Sequence, residues 1–123
     1  MIYDTKYFWT LYHEKDPKTI RRLKKIYNNS PTNIVSVITI YEIYKLTITN
    51  EGKDVAIIRT GSIKNGFEIV GVDANIAEEG ARISVKSKKP MADSLIIGTA
   101  RKLNQTCVTD DPHFQNEVKT VWI

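Results

Sequence analysis

Four acidic residues of this chain occupy positions that protein stability alone would not select. Asp4 ends a short apolar run at the start of the chain, and Asp111 follows another apolar run near its end. Asp93 lies in the first turn of a predicted helix, and Glu42 interrupts a mostly apolar helical segment. Because ligands gather beyond the carboxyl ends of parallel strands, these carboxylates could converge on one pocket.

Convergence of the acids would require a neutralising partner. Two carboxylates about 5 Å apart repel by roughly 3 kcal/mol at an effective dielectric constant near 20. Several such pairs exceed what a domain can lose from a net stability of about 5–15 kcal/mol, so protons or a cation must neutralise the cluster. Oxygen ligands without a histidine or cysteine partner favour Mg²⁺ or Mn²⁺ over zinc. One or two such ions can activate water for attack on a phosphodiester.

Each acid also has a purely structural interpretation. Glu42 can pair with Lys45 at the rim of its helix. Asp93 can stabilise the dipole at a helix N-terminus, and Asp111 suits a turn before Pro112. Taken singly, these interpretations are at least as good as a functional one. The functional interpretation therefore depends on the four side chains meeting in one place.

The elements that would position these acids alternate along the chain. Apolar runs predict short strands at residues 1–3, 33–37, 67–70, 106–109 and 118–122. Helical spacing and cap residues predict helices at residues 5 to 12, 17 to 27, 38 to 49, 53 to 64 and 90 to 103, and another that follows the cap at Asp73 and fades within residues 86 to 89. This alternation predicts an α/β fold with a mainly parallel sheet and helices on both faces, in a single domain of residues 1–123.

Composition narrows the class of protein. The chain has 123 residues, 41% of them hydrophobic and 26% charged, and its net charge of +4 permits a polyanionic partner. The single cysteine, Cys107, excludes an internal disulfide framework and a zinc site with several thiolates. The acid at Asp4 leaves no room for a signal peptide, and no segment is apolar for long enough to cross a membrane, so we expect a cytoplasmic protein.

Four short segments contain the acids within longer motifs. The opening Met1–Thr5 is an apolar strand that ends in Asp-Thr. The other three segments are SVITIYEIY at residues 36–44, ADSLIIGTA at residues 92–100 and TDDPHF at residues 109–114. In order and spacing they resemble the PIN-domain family, and especially its ribonuclease toxins of the VapC type. The matching family patterns are S-x-x-T-x-x-E, A-D-x-L-I-A-x-A and T-x-D-x-x-F.

This resemblance implies a fold and a site. The fold would be a three-layer α/β/α domain with strand order 3-2-1-4-5 and acids beyond the ends of strands 1 and 4. The resemblance implies metal-binding and catalytic roles, with Mg²⁺ or Mn²⁺ as cofactor, for four acids: Asp4, Glu42, Asp93 and Asp111. It further implies that the hydroxyls of Thr109 and Thr5 orient the ligands or the attacking water.

The resemblance also implies an activity and partners. The family cleaves RNA endonucleolytically with a metal-activated water, which leaves a 3′-hydroxyl and a 5′-phosphate. Its toxin members form homodimers and are silenced by a VapB-type antitoxin whose tail enters the active-site groove. We therefore expect an RNA substrate, an antitoxin and a second copy of the chain as partners.

Two residues depart from the family pattern. Lys6 stands where many relatives carry a small polar residue, which would alter access to the pocket. Asp110 is acidic where relatives often have Arg or Asn, so the fourth acid is either Asp111 or shared between the two. The interval to Phe114 favours Asp111.

Several other polar and aromatic residues also have structural explanations. We interpret both histidines, His13 and His113, as ordinary surface residues. Aromatic residues of the predicted helices, including Trp9, are expected in the core or a dimer interface rather than stacked on bases. Three lysines before Asp93 are candidates for steering RNA to the pocket, although solubility accounts for them slightly better: Lys86, Lys88 and Lys89.

Three other functions fit parts of the pattern. An RNA-processing PIN nuclease without an antitoxin would use the same chemistry. A PIN module without catalysis would only bind RNA, although retention of the four acids argues against it. A phosphoacceptor receiver domain has a similar size, but it needs paired acids after strand 1 and a lysine after strand 5. A helix N-cap accounts for its candidate acceptor, Asp73.

Overall fold

Five short strands and six helices alternate along the chain, and the computed structural model describes residues 1–123. The strands are β1 (Ile2–Tyr3), β2 (Ile34–Ser36), β3 (Glu68–Val70), β4 (Cys107–Thr109) and β5 (Thr120–Trp122). The helices are α1 (Thr5–His13), α2 (Pro17–Asn29), α3 (Val37–Glu51), α4 (Lys53–Gly66), α5 (Ala74–Ser87) and α6 (Met91–Leu103). One 3-10 turn, Pro112–Phe114, lies between β4 and β5.

The strands form one parallel sheet in the order β3-β2-β1-β4-β5. Ile2 of the central strand β1 is aligned with Ile34 on one side and with Cys107 on the other. This topology confirms the predicted fold class and the strand order that the resemblance implies. It excludes a receiver domain, because the doubly wound sheet of that class has the order 2-1-3-4-5.

Alternation along the strands builds a separate core on each face of the sheet. Strand residues on the same face as Ile2 pack with α5 and α6. Strand residues on the same face as Tyr3 pack with α1 to α4. The first core contains Ile2, Ile34, Ile83, Ile96, Ile97, Ala100, Cys107 and Phe114. The second core contains Tyr3, Tyr7, Phe8, Leu23, Val35, Ile43, Ile63 and Val108. The result is the predicted α/β/α sandwich, with the thiol of Cys107 buried as a small hydrophobic group.

Helix boundaries follow the capping residues in the sequence. The carboxylate of Asp16 accepts a hydrogen bond from the backbone nitrogen of Lys18, and that of Asp73 accepts one from Ile76. The predicted start of the last strand at Val118 is wrong by two residues. The Val118 nitrogen donates to the carbonyl oxygen of Phe114 and closes a turn, so β5 begins at Thr120.

Close packing of α5 against α6 sets the position of the α6 N-terminus. An ideal Cβ atom on Gly98 would lie 3.3 Å from the backbone nitrogen of Gly80 and 3.3 Å from the carbonyl oxygen of Ile76. Only a residue without a side chain allows the two helix backbones to approach this closely. None of the six helices combines the length and apolar composition required to cross a lipid bilayer.

Candidate active site

A cavity of about 340 Å³ opens where β1 and β4 end, and all four of the singled-out acids line it. Its lining residues are Asp4, Thr5, Lys6, Trp9, Glu42, Leu46, Asp93 and Asp111. The acids come from four separate elements of the fold: the end of β1, the middle of α3, the first turn of α6 and the loop after β4. Their convergence is therefore a property of the tertiary structure.

Asp4 lies at the deepest point of this arrangement and is 2% exposed. Its carboxylate caps α1 by accepting a 2.7 Å hydrogen bond from the backbone nitrogen of Thr5. The other carboxylate oxygen accepts a 2.8 Å hydrogen bond from the Thr109 hydroxyl. The pKa of Asp4 is raised from 3.8 to about 7, mainly by burial; the two hydrogen bonds oppose this rise, and the charges of Asp93 and Glu42 add to it.

The hydroxyl of Thr109 connects two of the acids. It donates to Asp4 and accepts a 2.9 Å hydrogen bond from the backbone nitrogen of Asp111. The loop after β4 is thereby tied to the end of β1. This geometry agrees with an orienting role for Thr109.

Glu42 is fixed by a hydroxyl and not by a lysine. The Thr5 hydroxyl donates a 2.6 Å hydrogen bond to the Glu42 carboxylate. The Lys45 ammonium group lies instead over the Tyr41 ring, 5.8 Å from its centroid. The structural interpretation of Glu42 as a partner of Lys45 is therefore wrong. Burial, followed by the charges of Asp93 and Asp111, raises the pKa of Glu42.

His113 is not an ordinary surface residue. Its Nδ1 atom lies 2.6 Å from a carboxylate oxygen of Asp93 and 3.3 Å from one of Asp111. The 3-10 turn places it there, because Asp111 caps this turn by accepting a 2.9 Å hydrogen bond from the His113 backbone nitrogen. In the sequence, the one indication of this contact was that His113 follows Asp111 by two residues. His13 conforms to the interpretation, since it does not line the cavity; its ring nitrogens lie near the backbone oxygen of Trp9 and the carboxylate of Glu51.

The cluster has an uncompensated negative charge. No lysine or arginine lies within ion-pair distance of the four acids, and His113 is their only such partner. Burial raises the pKa of Asp93 as well, and the charge of Asp111 adds to this effect while His113 opposes it. Carboxylates that converge on one cavity without a lysine or arginine ion-pair partner provide the oxygen donors that suit a hard divalent cation. The residues present therefore fit Mg²⁺ or Mn²⁺.

The remaining candidate residues are distributed more widely. Of the two neighbouring acids, Asp111 lines the cavity and Asp110 does not. Lys89 is near enough for its charge to lower the pKa of Asp93, whereas Lys86 lines a separate depression. Lys88 is exposed at the end of α5. Trp9 is half-buried and forms part of the cavity wall.

A family model describes this combination of fold and acids. The model of the PIN domain matches residues 1–118 of the chain. The chain belongs to the PIN-domain family. A search of curated proteins gave no match.

Solved structures with the same fold agree with this membership. A chain of a toxin–antitoxin complex from Klebsiella pneumoniae has a similar structure, with a TM-score of 0.77 and 21% identity over 98% of this chain and 94% of that one. VapBC2 from Rickettsia felis, bound to a promoter DNA fragment, has a TM-score of 0.79 and 18% identity over 99% of this chain and 98% of that one. VapC20 from Mycobacterium tuberculosis, described as a Sarcin-Ricin loop cleaving toxin, has a TM-score of 0.72 and 16% identity over 86% of this chain and 85% of that one. At these identities the likeness establishes the PIN fold.

Proposed function

We propose that this PIN domain is a Mg²⁺- or Mn²⁺-dependent endoribonuclease and the toxin of a VapBC-type toxin–antitoxin pair. The observation that carries the proposal is the group of four acids around one cavity, with no lysine or arginine to neutralise them. Structural neighbours described as toxin–antitoxin complexes, and one described as cleaving an RNA loop, support the choice of substrate and partner.

The acids would hold the metal, and the neighbouring hydroxyls would hold the acids. The proposed ligands are Asp4, Glu42, Asp93 and Asp111. When bound, the ion supplies a Lewis acid that makes an attacking water more acidic and stabilises negative charge on the phosphate. The Thr109 and Thr5 hydroxyls fix the carboxylates of Asp4 and Glu42, so these two acids are already oriented before RNA arrives.

The rim of the cavity can contact an RNA strand on two sides. Lys6 brings a positive charge to the opening, which suits a phosphate next to the scissile bond. Trp9 and Leu46 form an apolar wall against which a base or ribose can pack. We also propose that Lys89, with Lys88 and Lys86 before it, attracts the RNA backbone towards Asp93.

Exposed apolar side chains on α3 and α4 favour protein partners. Tyr41 is 62% exposed and Ile58 is 71% exposed, and Ile48 and Ile57 are also exposed. Exposed apolar surface of this kind is typical of protein–protein contacts. We propose that an antitoxin and a second copy of the chain cover these helices in the cytoplasm. The proposed unit is the single domain of residues 1–123.

An RNA cleavage assay with a matched acid variant tests the enzymatic proposal. Purified protein is incubated with single-stranded RNA and Mn²⁺, and the reaction is repeated with EDTA and with Asp93→Asn. We expect cleavage only by the wild-type protein with metal, with a 5′-phosphate on the downstream product. Asp73→Asn is the control, because Asp73 lies outside the cavity lining and asparagine also caps helices well. Equal cleavage by Asp93→Asn, or in EDTA, would contradict the proposal.

Expression in cells separates a toxin from an RNA-processing enzyme without an antitoxin. A toxin should arrest growth when it is expressed alone, and Asp93→Asn should relieve the arrest. Recovery of growth on coexpression of the neighbouring antitoxin gene would support the pair. Normal growth with active protein would favour the processing enzyme instead.

A further inference from the structure

The imidazole of His113 forms a mixed nitrogen and oxygen cluster with two of the acids. Its Nδ1 atom lies 2.6 Å from Asp93 and 3.3 Å from Asp111. One candidate ligand atom from each of the three residues lies within 4.8 Å of the other two. Ligands of an octahedral ion at about 2.1 Å lie roughly 3 Å apart in neighbouring positions and roughly 4.2 Å apart across the ion. The three atoms are therefore close enough together to share one ion, once the 2.6 Å hydrogen bond between His113 and Asp93 opens slightly to admit it.

The chain around His113 fixes the imidazole at this place. Pro112 restricts the backbone at the start of the 3-10 turn, and the Asp111 carboxylate caps the same turn. Phe114 is fully buried in the core on the α5–α6 face of the sheet and anchors the end of the turn. The ring thus belongs to an anchored segment, although its outer edge is exposed to solvent.

We propose that Nδ1 of His113 is a metal ligand together with the carboxylates of Asp93 and Asp111, and that it makes this cavity select Mn²⁺ over Mg²⁺. The proposal rests on the metal-dependent nuclease function above and adds a ligand to its four acids. Imidazole nitrogen binds first-row transition metals well and Mg²⁺ poorly, whereas carboxylates suit both. Removal of the imidazole should therefore weaken Mn²⁺ binding selectively.

The two tautomers of the ring suit the metal-free and the metal-bound site respectively. With the proton on Nδ1, His113 donates its hydrogen bond to Asp93, which compensates part of the cluster's negative charge. With the proton on Nε2, the Nδ1 lone pair is available to an ion between the carboxylates. The ring can therefore change from hydrogen-bond donor to ligand without a change in its net charge.

Electron paramagnetic resonance of bound Mn²⁺ detects the proposed nitrogen ligand directly. The full chain is loaded with Mn²⁺, and the electron spin echo modulation from ¹⁴N is recorded for wild type, His113→Gln and His13→Gln. We expect the modulation in wild type and His13→Gln and its loss in His113→Gln. His13 is the matched control, because it is the only other histidine and lies outside the cavity lining.

Binding constants provide a second readout that does not depend on RNA cleavage. Titrations should show Mn²⁺ binding to His113→Gln weakened at least tenfold, on the order of the loss when metal-site hydrogen bonds are removed, with Mg²⁺ binding changed less than about threefold. A thermal unfolding scan in EDTA checks that the variant is folded.

Two results would overturn the inference, and they are distinguishable from failure of the nuclease proposal. Absence of ¹⁴N modulation in wild-type protein that binds Mn²⁺ would show that His113 is not a ligand. Equal weakening of Mg²⁺ and Mn²⁺ binding in His113→Gln would show that the imidazole only positions the carboxylates. In both cases the nuclease function would stand if Asp93→Asn still abolishes metal-dependent RNA cleavage. Failure of wild type to bind Mn²⁺ or Mg²⁺ would contradict both proposals.

Discussion

The hydroxyl of Thr109 performs two tasks that no apolar side chain can perform. It donates to the buried carboxylate of Asp4 and accepts from the backbone of Asp111, so one group stabilises the orientation of two acids. A buried acceptor that loses its donor costs about 1–3 kcal/mol, because it has already been removed from water. Thr109 is therefore expected to affect both stability and the metal site.

Thr109→Val should lower the free energy of unfolding by about 1–3 kcal/mol in a urea titration. It should also weaken Mn²⁺ binding, because Asp4 loses its orienting hydrogen bond. Thr47→Val is the matched control, since the buried Thr47 hydroxyl has no hydrogen-bond partner. That substitution should be neutral or slightly stabilising. Equal destabilisation by the two variants would show that the Thr109 hydrogen bonds contribute nothing specific.

The elevated pKa of Asp4 predicts that the metal-free protein becomes less stable as pH rises. In the unfolded chain this carboxyl group ionises near pH 3.8, whereas in the folded protein it keeps its proton up to about pH 7. The folded state thus binds more protons between these values, and the free energy of unfolding falls through this range. At about 1.4 kcal/mol for each pKa unit, the loss is on the order of 4 kcal/mol.

Urea unfolding in EDTA at about pH 5 and about pH 8 measures this effect. Wild type should be less stable at the higher pH, and Mn²⁺ should restore stability there. Asp4→Asn should reduce the pH dependence, since asparagine does not ionise and its amide oxygen can still accept one of the two hydrogen bonds. Stability in EDTA that is flat or rises between the two pH values would be the contrary result.

At the scale of elements, the contact between α5 and α6 controls the position of Asp93. The helices approach closely at Gly80 and Gly98, and the atoms that a Gly98 side chain would meet are backbone atoms of α5. Backbone atoms cannot rotate away, so a methyl group at this position must separate the helices. Asp93 lies in the first turn of α6 and would move with the helix.

Gly98→Ala should therefore destabilise the fold by about 1–3 kcal/mol, although alanine favours helices by about 1 kcal/mol over glycine. It should also lower RNA cleavage. Gly61→Ala on α4 is the matched control, because an added Cβ atom there meets nothing within 4 Å. Its expected effect is a gain in thermal stability with normal cleavage. A stabilised Gly98→Ala variant would show that the two helices separate without cost.

At the scale of the whole molecule, an acidic cavity lies in a chain with a net charge of +4. Basic residues must therefore dominate the remaining surface, and an RNA strand can be attracted by the whole protein while its scissile phosphate meets the acids. Two basic groups allow a test: Lys86, Lys88 and Lys89 before α6, and Arg21, Lys24 and Lys25 on α2. Of these residues, Lys89 is close enough for its charge to lower the pKa of Asp93.

Replacement of the first group by glutamine should weaken binding to single-stranded RNA. The slope of log affinity against log salt should fall by up to about 2, at roughly 0.7 for each lost phosphate contact. The measurement is made in EDTA to prevent cleavage. The same change in net charge at Arg21, Lys24 and Lys25 should leave the slope nearly unchanged. Equal effects of both triple variants would indicate nonspecific attraction only.

Local sequence patterns determined most of the elements. Capping residues such as Asp16 and Asp73 and the alternation of apolar runs with helical spacing define where elements begin and end, because these are interactions between near neighbours in the chain. The motifs around the acids were sufficient to suggest the family. The same patterns could not fix the true start of β5, which depends on a turn closed at Phe114.

Only the tertiary structure decided which side chains surround the cavity. Sequence spacing cannot show that His113 contacts Asp93, 20 residues away, or that Thr5 rather than Lys45 holds Glu42. It favoured Asp111 over Asp110 without deciding between them, and it could not show that Trp9 lines the cavity. These contacts depend on how helices pack on the sheet and which direction each loop turns. This long-range geometry depends on packing throughout the core, so it cannot be inferred from local patterns of residues.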